Sequence, residues 1–153
     1  MNFRLATLND LKALQQLYVD TIQAVCADEY NAEERTAWAS GINNTARWLE
    51  VMNTQYILLA TMNGEIAGFA TLKNGNYIDF FYVHKNHQRK GIAKELLCRI
   101  EGKAINHGVK KLSSDISKTA RPFFEKHGFI VLKEQHHPRQ GVVLVNYKME
   151  KLL

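Results

Sequence analysis

Long apolar stretches are missing from this chain. No run within its 153 residues approaches the length that crosses a bilayer as a helix, so no membrane partner is expected. Cysteine is scarce: Cys26 and Cys98, the two present, lie far apart and share no metal-ligand spacing. Packed, reduced thiols in a cytoplasmic protein are the simplest reading. Repeats, low-complexity segments and an interdomain linker are also missing. Met1-Asn2-Phe3-Arg4-Leu5 leads straight into a patterned segment without the look of a signal peptide. A single domain over residues 1–153, long enough for a real core, is expected.

No strong excess of one charge is present either. Twenty Lys and Arg face fifteen Asp and Glu, for a net charge of +5. Basic residues cluster locally at 85–94 and 99–111. A phosphate-rich ligand accounts for the first cluster and a solvated helix face for the second. No groove-reading helix or aromatic platform accompanies them, so a nucleic-acid partner is not expected.

What the chain does have is a regular succession of short elements. Phe3–Ala6 reads as a strand, and Thr7-x-x-Asp10 as a capping box before a helix over 8–26. In that helix Leu11, Leu14, Tyr18, Ile22 and Val25 recur at spacings of three and four. Short helices are expected at 32–39 and 45–53, and strands at 56–61, 66–72 and 77–83. Asn63-Gly64 joins the first two strands as a hairpin, and Asn74-Gly75-Asn76 marks the next turn. Ile92, Leu96, Ile100 and Ala104 form one stripe of a helix over 90–107, which His107-Gly108 ends. A strand over 111–116 and a helix over 118–126 follow, with Pro122 near that helix's first turn. Strands over 129–132 and 142–147 finish the pattern, joined by a polar loop containing His136, His137, Pro138 and Gly141.

The passage from strand 77–83 through helix 90–107 to strand 111–116 is a crossover of the kind that joins parallel strands. The expected fold is α/β, mixed α+β: a central, mostly antiparallel sheet of six or seven strands with one parallel pair, and about four helices on both faces. Ligands in such sheets sit beyond the C-terminal ends of the parallel strands. At that position the apolar run Phe81-Tyr82-Val83 enters the basic loop Gln88-Arg89-Lys90-Gly91, and the helix through Ile92, Ala93 and Lys94 begins. Unpaired amides at a helix N-terminus, a favourable helix dipole and a glycine without Cβ suit a pyrophosphate, and Arg89, Lys90 and Lys94 add positive charge.

Gln88-x-x-Gly91-x-Ala93 after that strand resembles the Q/R-x-x-G-x-G/A signature of the GNAT N-acetyltransferases. Ser117-x-x-Ala120-x-x-Phe123-Phe124-x-x-x-Gly128-Phe129 is similar to the family's second signature, and Phe3 to Asp10 to its opening strand and helix cap. The closing stretch, Gly141 to Met149, resembles the YafP-like bacterial branch. The resemblance implies a GNAT-like acyl-coenzyme A N-acyltransferase fold and direct transfer of an acetyl group from acetyl-coenzyme A, without a metal, to an amine. The acceptor it implies is a small amine, an aromatic amine or hydroxylamine included given the aromatic content. A homodimer through edge strands is compatible with it. Gln88 to Lys94 are implied to hold the pyrophosphate, the Phe81–Val83 backbone to pair with the pantetheine arm, and Ser117 and Phe124 to border it.

Two departures stand out. Ser117 replaces the family's frequent asparagine, and Phe124 replaces the tyrosine that protonates the leaving thiolate in many members. Phenylalanine has no proton to give, so a non-catalytic coenzyme A-binding sensor on the same fold is the alternative reading. For proton removal from the acceptor, Asp79 is the first candidate, as the one charged residue in an apolar strand. It could instead face outward or pair with a basic side chain. Tyr77 shares its parity and lines the same face or belongs to the core. Glu29 and Tyr30, beside Asp28 in the break after the first helix, are acceptor-recognition candidates or solvated loop residues, and Trp38 and Trp48 are walls of an acceptor pocket or core. His136 and His137 lack a third metal ligand at sensible spacing.

Overall fold

The structure is a computed structural model and describes residues Met1–Leu153. Seven strands form one sheet: β1 (Asn2–Leu5), β2 (Tyr56–Met62), β3 (Glu65–Lys73), β4 (Tyr77–Val83), β5 (Lys111–Ser117), β6 (Ile130–Arg139) and β7 (Val142–Leu152). Their spatial order is β1-β2-β3-β4-β5-β7-β6. All neighbours are antiparallel except β4 and β5. Five α-helices accompany them: α1 (Leu11–Val25), α2 (Ala32–Ala39), α3 (Thr45–Thr54), α4 (Ile92–Asn106) and α5 (Arg121–Lys126). No helix is long and apolar enough to cross a membrane.

Strand alternation divides the core between the two faces of the sheet. Leu58 and Ala60 of β2 pack with Leu96, Leu97 and Ile100 of α4 and Phe124 of α5. Ile57 and Leu59, one residue out of phase, pack with Leu14, Tyr18 and Ile22 of α1 and Trp48 of α3. The tight turns behave as their residues dictate. Asn63 and Gly64 both take positive φ (52° and 82°), the signature of a two-residue hairpin loop. On the α4 side, Gly68 makes room for close approach: a Cβ there would stand 2.9 Å from the Tyr82 carbonyl oxygen and 3.3 Å from Ile92.

The last hairpin departs from the expectation of a polar loop. β6 continues to Arg139, and the connection is only Gln140 and Gly141, both at positive φ (50° and 81°). His136, His137 and Pro138 therefore lie in a strand, opposite Val145, Leu144 and Val143. β6 is the edge of the sheet and exposed along most of its length, so it lacks hydrophobic alternation and tolerates a proline. β7 is correspondingly longer than expected. α5 is shorter, because the Ser117 hydroxyl accepts the Ala120 amide at 3.1 Å and residues 118–120 form a turn before the helix.

Two features place the site. β4 and β5 pair only at Tyr77↔Ser113 and Ile78↔Ser114, after which they part. The Ser114 hydroxyl donates to the Ile78 carbonyl at 2.7 Å, at the point of separation. Meanwhile β4 is irregular against β3: Ala70 faces Phe81 but Leu72 faces Ile78, which leaves one extra residue on β4. The Phe80 amide donates to the Thr71 hydroxyl at 3.0 Å instead of to a strand carbonyl. The bulge puts Asp79 on the same face of the sheet as Phe80.

Gly68→Ala should destabilise the fold by about 1–3 kcal/mol, read as a lower thermal midpoint, because a backbone oxygen must shift to admit the methyl group. At the other end of the sheet, the Arg4 guanidinium donates to both Asp10 oxygens at 2.8 Å. That contact lowers the Asp10 carboxyl from 3.8 to about 2. The resulting stability is present above pH 3.8 and is lost as pH falls toward about 2. Arg4→Gln should therefore flatten the acid limb of a stability-versus-pH curve and leave its slope near neutral pH unchanged.

Candidate functional site

The gap between β4 and β5 opens into two cavities that meet. A narrow one of about 220 Å³ runs between Phe81 and Val83 of β4 on one side and Ile116, Ala120, Phe123 and Phe124 on the other. A wider one of about 720 Å³ lies under α2, α3 and the β6–β7 hairpin. Trp38, Asp79, Tyr82, Asp115 and Ser117 border both.

Backbone alternation decides what the narrow cavity offers. The His84 amide donates to the Ala67 carbonyl of β3 at 2.7 Å, so the Tyr82 backbone groups face β3 as well. The Phe81 and Val83 groups then face the gap, where β5 has moved away. The Val83 carbonyl is taken by the Gln88 side-chain amide at 2.6 Å. Gln88 thus ties the basic loop to the end of the strand. The loop then turns through two residues at positive φ, Arg89 (60°) and Gly91 (81°), and Gly91 caps α4. A Cβ on Gly91 would meet nothing of the protein within 4 Å. The amides that open α4, at Ile92, Ala93 and Lys94, have no acceptor within the helix. Arg89, Lys90 and Lys94 stand exposed around them. A thin amide-bearing chain with an anion at its far end has the complementary shape and charge.

The walls are apolar. Phe124 is 1% exposed and packs edge-on against Phe81 and Phe129, with ring centroids 5.1 Å away in each case. It lines the cavity and brings no donor. The Cys26 thiol also lines it, and burial pushes its pKa up to about 11. As a neutral thiol it is a poor nucleophile beside any thioester.

The wide cavity holds the charged and phenolic groups. Asp79 is pinned: Arg47 Nη2 donates to one oxygen at 2.9 Å and Gln55 Nε2 to the other at 2.7 Å. Its side chain is 8% exposed. An anion already held by a guanidinium is a positioned charge more than a free proton acceptor. Tyr77 faces the same cavity, and its hydroxyl donates to Asp115 at 2.5 Å. Burial and the Asp115 carboxylate raise the Tyr77 pKa, so the phenol stays protonated. Gln135 donates to the other Asp115 oxygen at 2.7 Å, and no cation lies within ion-pair distance of Asp115. Sequence reasoning missed Asp115, Arg47 and Arg139, another residue of this lining.

The acceptor-side candidates separate. Trp38 borders both cavities. Tyr30 lines the wide one, but its hydroxyl is committed to the scaffold, donating to the Val145 carbonyl at 2.5 Å and accepting the Lys118 amide at 2.9 Å. Glu29 is exposed and borders neither cavity. Trp48, at 2% exposure, is mostly core and stacks on Phe80.

Known proteins are similar to this chain in sequence and architecture. A family model described as an acetyltransferase (GNAT) domain matches residues 26–151. A GCN5-related N-acetyltransferase from Rhodopseudomonas palustris superposes with a TM-score of 0.94 at 30% identity, covering 99% of this chain and 95% of that one. The N-acetyltransferase YafP of Escherichia coli is 28% identical over 140 residues, 92% of this chain and 88% of its own. In fold, the chain is also similar to the PaiA N-acetyltransferase of Thermoplasma acidophilum, solved in complex with coenzyme A, with a TM-score of 0.77 at 19% identity over the whole of both chains. The model match spans most of the sequence and agrees with the parted strands and the glycine-capped helix: the chain belongs to the GNAT family of acetyltransferases.

Proposed function

We propose that this protein transfers the acetyl group of acetyl-coenzyme A directly to the amine of a small-molecule acceptor. One observation carries the reading: the narrow cavity runs from the α4 N-terminus to a junction where it meets the wide, charged cavity. The amides of residues 91–94, with Arg89, Lys90 and Lys94, hold the pyrophosphate. The Phe81 and Val83 backbone pairs with the pantetheine amides as an added strand. Phe81, Ser117 and Phe124 enclose the arm, which brings the thioester to the junction.

The acceptor enters from the wide cavity, with Trp38 as a wall. Its ammonium loses a proton to Asp115, which borders both cavities and has no cation of its own. Asp79, neutralised by Arg47, stays out of the proton transfer, and Tyr77 holds Asp115 in place. The free amine attacks the acetyl carbon, and the Phe81 amide donates to the oxyanion. The C–S bond then breaks, coenzyme A leaves as its thiolate, and the nitrogen gives up its second proton to water to form the neutral amide. Thiols are far stronger acids than alcohols, cysteine ionising at about 8.5, so an alkyl thiolate is a tolerable leaving group and water can supply the proton that Phe124 cannot.

Phe124 also favours a second reading, a module that binds coenzyme A without turnover. Release of free thiol from acetyl-coenzyme A on addition of mixed amines separates the two, since a non-catalytic module releases none. In the enzyme, Asp115→Asn should lower kcat by about 100-fold or more with little change in coenzyme affinity. Unchanged turnover in that variant removes Asp115 from the mechanism. Gly91→Val should weaken coenzyme A binding at least tenfold by calorimetry, because the side chain enters the space where the loop receives the ligand and resists the positive φ. Equal affinity would mean that the pyrophosphate lies elsewhere.

A further inference from the structure

The charges of the wide cavity do not cancel in place. Asp79 balances Arg47. That leaves Asp115 without a cation and Arg139 without a carboxylate within ion-pair distance, on the lining of the same cavity. Asp115 stands at the junction with the narrow cavity, whereas Arg139 borders the wide cavity alone, at the end of β6. The two uncompensated charges, both on exposed residues, therefore lie at different points of the cavity. Arg47 of α3 and Arg139 of β6 line this cavity together with the Tyr18 phenol, which burial pushes up to about 12 against the charge of the two guanidiniums. Arg47 uses one nitrogen for Asp79 and lies 4.9 Å from the Phe80 ring centroid, so further N–H groups stay free.

We propose that the acceptor carries a carboxylate as well as an amine, with the carboxylate received by Arg139 beside Arg47 and the amine directed to Asp115 at the junction. The proposal rests on the acetyl-transfer reading and deepens it by naming the acceptor class. A guanidinium fork matches a carboxylate in geometry, and Arg139, exposed at the mouth of the cavity, has no carboxylate of the protein competing for it. An amine without the anion would leave Arg139 bare, while a carboxylate-bearing amine fills both positions and points its nitrogen at the thioester.

The test compares matched acceptors at two spacings: phenylalanine against 2-phenylethylamine, and 6-aminohexanoate against hexylamine. Thiol release from acetyl-coenzyme A is followed in the wild type and in Arg139→Gln. In at least one pair, kcat/KM should favour the carboxylated partner by about tenfold or more, and Arg139→Gln should erase that preference through KM while leaving the uncharged amine's kinetics unchanged. A preference for the uncharged amine in both pairs, or one that survives the variant, overturns the proposal and leaves amine acetylation standing. A binding readout covers the case without turnover. N-acetylphenylalanine and 6-acetamidohexanoate should change the Trp38 and Trp48 fluorescence saturably in the presence of coenzyme A, and Arg139→Gln should abolish the change for whichever binds. If neither binds, the anion position is refuted. If one binds while no amine is consumed, the acetyl-transfer reading fails and the anion position stands.

Discussion

The parting of β4 from β5 is the constraint on which the rest of the site depends. A parallel pair that separates after two residue pairs leaves backbone donors and acceptors without partners in the middle of a sheet. That arrangement is costly unless something else meets those groups. Here the protein meets one of them itself, with the Gln88 side chain on the Val83 carbonyl. The others face a cavity. The same separation sets the cavity's width, brings α5 and its phenylalanines to one wall, and leaves Asp79 and Asp115 on facing strands rather than hydrogen-bonded neighbours.

Each feature of the site follows from keeping that gap open and lined. The β4 bulge, with its amide on Thr71, turns Asp79, Phe80 and Tyr82 to one side while Phe81 and Val83 keep to the other. The Tyr30 hydroxyl bridges Val145 of β7 and Lys118 after β5, so the break after α1 is tied to the far half of the sheet. Burial keeps Cys26 and the phenols of Tyr18, Tyr30, Tyr77 and Tyr82 protonated. The carboxylates and arginines therefore carry the charge near neutral pH.

Local signals made the strand–loop–helix at 81–94 legible, because glycine, positive charge and an apolar stripe each announce themselves in adjacent residues. The succession of strands and helices along the chain and the parallel crossover followed from the same periodicities. β6 was less legible: an edge strand exposed on most of its length has no alternation to read, and His136-His137-Pro138 looks like a loop. Asp79 was found as an oddity in an apolar strand, but its partner Arg47 lies thirty-two residues away on α3, and only the fold brings them together. Asp115 follows Ser113 and Ser114 in a strand and reads as an ordinary polar position until Tyr77 is seen to donate to it. Arg139 is at a hairpin end, where arginine is commonplace.

Hydrogen exchange with and without acetyl-coenzyme A tests the central claim most directly. The ligand should slow exchange of the amides at Phe81, Val83 and 91–94, which border the gap and open α4, and leave the β1–β2 edge unchanged. Protection confined to other parts of the sheet, or none at saturating ligand in folded protein, would contradict the account of the parted strands as the binding cleft.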